Sequence, residues 1–158
     1  MKKNAFTLIE LLIVLGISML LVVISIPIYS QFQIKAQMND ASAQMIQNIR
    51  SVRGQSLAGV EGTNHGIYLQ IDLLNDDSYI LYEGETYATR NVNADREFKL
   101  ESVLSLSTNG FTKIGENVDI NFQKITGTPN ESGTITLGHE VFGSRTLQIN
   151  SIGTIEEI

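Results

Sequence analysis

The spacing of apolar and polar positions divides the chain into three parts. No residue from 11 to 28 is ionisable, and with 6–9 included the run reaches the ~20 apolar residues that a helix needs to cross a bilayer. One carboxylate, Glu10, sits near its start. Beyond Tyr29 the pattern turns amphipathic. Phe32, Met38, Ala41, Met45, Ile49 and Val52 recur at three- and four-residue spacing among Gln, Asn, Lys and Arg, as on one stripe of a helix. The two patterns predict a single helix over about 6–57, ended by Gly59 and Gly62. Pro27 removes one backbone hydrogen bond, so a kink is expected there. The stripe is read as core that packs against a globular head.

After Gly62 the period changes from helical to two. Ile67, Leu69, Ile71 and Leu73 alternate with Tyr68, Gln70 and Asp72, which predicts a strand with one buried face. Asn75, Asp76 and Asp77 carry turn chemistry, and 78–82 is the second arm of a hairpin. The polar stretch 84–95 has no period and reads as an exposed loop. A third strand is expected over 98–106, and further strands at 118–122, 134–137, 146–149 and 154–158, separated by glycine turns. One long helix followed by short strands is the pattern of an α+β fold, a helix packed on a small antiparallel β head.

Charge bears mainly on the first part. Lys2 and Lys3 precede the apolar run and only Lys35 follows it closely, so the N-terminus is expected in the cytoplasm and the remainder outside. The run is too long for a secretory signal peptide, and no small-x-small cleavage site follows it. Inside a bilayer an ionised Glu10 costs on the order of a few kcal/mol. It is therefore either solvated at the headgroup level or held by a partner. Gly16, Ser18 and Ser25 suit close approach of helices in lipid.

Phe6-Thr7-Leu8-Ile9-Glu10, after a short lysine-containing leader and before a long apolar helix, resembles the class III signal of type IV pilins and pseudopilins. The resemblance implies that a prepilin peptidase cuts between Ala5 and Phe6 and that Phe6 is N-methylated. It also implies that Glu10, one helical turn from Phe6, pairs with the free N-terminal amine of a neighbouring subunit and sets the axial register. The expected partners are other pilin or pseudopilin subunits, the peptidase and an inner-membrane assembly platform. The expected location is the cytoplasmic (inner) membrane, single-pass, and then a filament. Ala5 stands where the family usually has glycine. The resulting organisation is a leader at 1–5, a transmembrane and assembly helix at 6–28, its amphipathic continuation at 29–58 and a β-rich head at 59–158.

The last third, from Val118 through Gly133, Arg145 and Gly153 to Ile155, is similar to H-type minor pseudopilins (GspH- and FimT-like). DNA-uptake members of that subfamily use basic residues near the C-terminus, where this chain has Glu156 and Glu157. Loss of a leader with Lys2 and Lys3 takes the formal net charge from −6 to −8. Phosphate binding needs Lys or Arg, and Arg145 alone is insufficient, so nucleic acid is not an expected partner. There is no cysteine, hence no disulfide to clamp an extracytoplasmic head.

No catalytic residue, metal site or cofactor is expected. His65 and His139 lack metal-ligand spacing and read as exposed turn or strand residues. Asp72, Asn75, Asp76 and Asp77 do not follow an EF-hand pattern and read as an acidic hairpin turn. Two classes of function remain. One is a non-enzymatic assembly subunit, a minor pseudopilin of a type II secretion system. The alternative is a minor pilin of a type IV pilus whose head is a binding module for adhesion or DNA uptake.

Overall fold

The structure, a computed structural model, describes residues 7–158 except 73, 140 and 141; the side chains of 24–28 and 30 also lie outside the described set. Two compact units divide after Ala36. Helix α1, Leu8–Ala58, contributes to both. It is assigned continuously across position 27, and the kink expected at Pro27 falls on a side chain outside the described residues.

Within the second unit, Met38, Ser42, Met45, Ile49, Val52 and Ser56 form the buried seam of α1, alternating steps of four and three residues. This corrects the expected stripe at one end. Phe32 is 69% exposed, because six residues before Met38 places it about 120° round the helix from the seam. The helix stops where Gly59 turns left-handed at φ 62° and donates its N–H to the Ser56 carbonyl.

The strands form two antiparallel sheets. The first has the order β3 (Arg96–Lys99), β2 (Ser78–Glu83), β1 (His65–Gln70), β6 (Asn117–Phe122), β5 (Lys113–Ile114). The second has the order β4 (Ser105–Asn109), β7 (Gly133–His139), β8 (Gly143–Ile149), β9 (Ile155–Glu157). In the first sheet, Ile67 pairs with Leu81 and Ile120, and Leu69 with Tyr79 and Val118. These side chains share one core with Ile135, Leu137, Leu147 and Ile149 of the second sheet and with the α1 seam. The fold is thus α+β, a long N-terminal helix and an antiparallel β head.

The expected third strand over 98–106 is two strands in different sheets. The chain leaves β3 and turns, burying Leu100 and Leu104, before β4 begins. Asp77 organises this crossing. Expected in an exposed turn, it is only 6% exposed. Its carboxylate accepts the Asp72 N–H at 2.8 Å and the Leu106 N–H at 2.5 Å, and its carbonyl accepts the Leu100 N–H at 2.9 Å.

The stretch 84–95 also departs from expectation. It forms two 3-10 turns, Tyr87–Thr89 and Val92–Ala94, and straps the outer face of the first sheet. The Tyr87 ring stacks on Tyr68 with centroids 3.7 Å apart and meets Tyr82 edge-on. Its backbone N–H donates to Asp119 Oδ2 at 3.0 Å, and the Tyr82 hydroxyl donates to Asp119 Oδ1. Arg90 lies over the Tyr87 ring and pairs with Asp95 at 2.8 Å. Gly66 makes the arrangement possible, since a Cβ there would come within 2.3 Å of the Tyr82 ring. Tyr68, Ile80 and Tyr82 are therefore buried on the outer face, where the alternation of β1 predicted exposure for Tyr68. Tyr87→Ala removes the stacked ring and is expected to lower unfolding free energy by about 1–2 kcal/mol. It should also speed proteolysis within 84–95. Unchanged denaturation and cleavage would show that the strap is passive.

Candidate functional site

The first turn of α1 has a capping sequence that the membrane reading overlooked. Thr7 is the last non-helical residue, and its Oγ1 accepts the Glu10 N–H at 3.3 Å. Thr7-x-x-Glu10 is the spacing of a capping box, and a carboxylate in a first turn also favours the helix dipole. Its signal was present in the sequence. Glu10 thus has a local role in starting the helix as well as any role between chains.

From 8 to 23 Glu10 is the one ionisable residue in an apolar run. The large apolar side chains from 8 to 23 are 55% to 80% exposed. A Cβ added at Gly16 would meet nothing within 4 Å. A helix apolar all round needs cover from lipid or from other protein, and here its own chain supplies little. Among the described residues no cation lies within ion-pair distance of Glu10. Ala5 and Phe6, expected at the cleavage and methylation site, lie outside the described residues, as do Lys2 and Lys3. Among the described residues no helix is long and apolar enough to cross a membrane; the stretch expected to do so, 6–28, includes Phe6 and the side chains of 24–28, which are outside that set.

The sites considered in the head are distributed otherwise than expected. His65 is not exposed: it is 4% exposed at the start of β1, and its backbone N–H donates to Ser56 Oγ at 2.9 Å. Burial lowers its pKa below the ordinary 6.5, against the opposing pull of Glu83, Glu61 and the Thr63 carbonyl. His139 is half-buried in β7, where Nδ1 accepts the Phe142 N–H. In the acidic turn the Asp72 carboxylate accepts the Asn75 side-chain amide at 2.9 Å and the Leu74 N–H at 2.8 Å. These bonds hold its pKa below the usual carboxylate value, the Asn75 amide most of all. With Asp77 turned inward, the four residues do not converge on one point. Arg145 is engaged too: it pairs with Glu157 at 3.2 Å and donates to Asn39 Oδ1 at 2.8 Å.

An uncovered apolar helix with one acid in its capped first turn defines a class of protein, a subunit whose N-terminal helix is completed by lipid or by other chains. The family model for the prokaryotic N-terminal methylation motif matches residues 1–26. That match makes the N-terminal segment similar to those of type IV pilins and pseudopilins. The motif implies processing by prepilin peptidase, membrane insertion and later assembly with other pilin subunits. No curated protein and no solved structure matches the chain.

Proposed function

We propose that this chain is a non-enzymatic minor pseudopilin of a type II secretion system. It enters the inner membrane through 6–28, is cut after Ala5, is N-methylated on Phe6 and joins a filament through α1. The observation that carries this reading is the exposed apolar surface from 8 to 23 with Glu10 as its one ionisable group. In the assembled filament the Glu10 carboxylate accepts the N-terminal amine of a neighbouring Phe6, which offsets the cost of burying either charge alone.

The secretion reading is supported by the head. Arg145, the basic residue nearest the C-terminus, is paired with Glu157, and Glu156 precedes that acid on the same edge strand. That charge pattern disfavours phosphate. The turn at Gly153 between β8 and β9 agrees with an H-type domain ending in a strand, a glycine turn and a short final strand.

Co-expression with a prepilin peptidase tests the reading. Mass spectrometry should find a mature N-terminus at Phe6 carrying one added methyl group. An uncut N-terminus, or a cut elsewhere, would refute it. Deletion of the gene should block export of secreted enzymes and leave pilus-driven motility intact; the reverse pattern would assign the chain to a pilus.

A further inference from the structure

A second feature, unrelated to assembly through α1, lies where the helix meets the first sheet. A pocket of about 390 Å³ opens between the last turns of α1, the turn Val60–Gly62 and one corner of that sheet. The strand register explains its lining. His65 faces Glu83 across β1 and β2, and Leu81 faces Arg96 across β2 and β3. All four lie on the core face, because His65 is two residues from Ile67 and pairs with Phe122 on its other side. At this margin the apolar core gives way to charged side chains.

Two observations mark the pocket as more than a packing gap. His65 is almost wholly buried, yet its Nδ1 has no hydrogen-bond partner. A neutral imidazole carries one N–H and offers its other nitrogen as an acceptor. The other observation is Glu61, which lines the same pocket at φ 52°, a left-handed conformation that glycine adopts freely and glutamate does not. Glu61, Glu83 and the His65 ring thus line a pocket with one cation, Arg96, and with apolar walls from Val52 and Leu81. Among the described residues no group of three acids or histidines converges closely enough to hold a metal ion.

We propose that this pocket binds an alkylammonium group, its nitrogen taken by His65 Nδ1 with Glu83 and Glu61 and its methylenes lying against Val52 and Leu81. The group can come from a free amine or from the lysine side chain of another protein. The charged groups facing His65 are Glu61 and Glu83, which favour its protonation, and Arg96, which opposes it. Protonated His65 would repel the ligand and lose its acceptor. Binding therefore strengthens as pH rises through the His65 pKa, and bound ligand lowers that pKa further.

The test uses the full chain in detergent micelles with labelled histidine, titrated with n-butylammonium while the His65 ring resonances are followed by NMR. A saturable shift is expected, absent with butyrate and stronger at about pH 8 than at about pH 5. Affinity should fall at least about fivefold in Glu83→Gln and measurably in Glu61→Gln, whose side chain is exposed and whose removal spares the core. N-acetyl-lysine amide binding alongside butylammonium would identify a protein lysine as a source, and binding of butylammonium alone would restrict the site to free amines. No saturable shift at His65, equal binding of butyrate, or unchanged affinity in both variants would overturn the proposal.

Discussion

Glu10→Ala is expected to abolish incorporation into filaments while leaving membrane insertion and cleavage after Ala5 intact. If Glu10 receives the amine of a neighbouring Phe6 in a water-poor environment, removing it leaves that amine buried and unpaired. Breaking a buried pair in this way costs about 3–5 kcal/mol, which lowers the equilibrium for adding a subunit by more than about a hundredfold. The capping geometry at Thr7 sets up a rival account, in which the variant fails because its first turn frays. Glu10→Gln separates the two. Glutamine serves the third position of a capping box as well as glutamate does, but it carries no charge. Pairing predicts that Glu10→Gln fails as Glu10→Ala does, whereas capping predicts rescue. Filaments sheared from cells and probed for the subunit, beside a membrane fraction probed for the processed form, give both readouts. Normal incorporation of Glu10→Gln would sink the pairing argument.

The second large effect belongs to the head. Asp77→Ala should destabilise it by about 1–3 kcal/mol, because the buried Leu106 N–H loses its acceptor and an unsatisfied buried donor costs about that much, while the N–H of exposed Asp72 turns to water. Asp77→Asn keeps the size but replaces one acceptor oxygen with an amide that presents hydrogens to an N–H. It should recover less than half of the loss. Denaturant unfolding of the full chain in detergent, followed by tyrosine fluorescence, measures both. A loss below about 1 kcal/mol in Asp77→Ala would mean that water reaches the Leu106 N–H and that the crossing between sheets does not depend on this carboxylate.

The helix, its end at Gly59 and the positions of most strands were legible because they depend on near neighbours. Apolar spacing of three and four marks the seam, and alternation marks β1 and β6. Legibility failed where a distant segment changed the meaning of a residue. Asp77 has the composition of a turn, but the N–H of Leu106, 29 positions on, makes it an internal acceptor. Tyr68 belongs to the outward face by period, but Tyr87 covers it. His65 sits among turn residues and is buried because Ser56 and the helix end close over it. Phe32 failed for a different reason: counting apolar residues at roughly helical intervals tolerated a position about 120° out of phase. The capping box at Thr7 and Glu10 is legible in the sequence as well, where the same carboxylate also stands as a charge at the start of an apolar run.

By itself the sequence determined that the N-terminal segment carries an apolar run with one acid near its start in a pilin-like motif, since the lysines, the run and Glu10 are local and follow one another along the chain. It likewise determined that a β head follows a long helix, since periodicity is set by neighbours two to four residues apart. Only the tertiary structure decided how the strands divide between two sheets, which acid is buried, which histidine is enclosed and what covers the outer sheet face. Those outcomes rest on contacts between residues tens of positions apart, and as many as 106 between Asn39 and Arg145. Such a contact leaves no period or spacing in the chain, because the pattern around each partner is set by its own near neighbours.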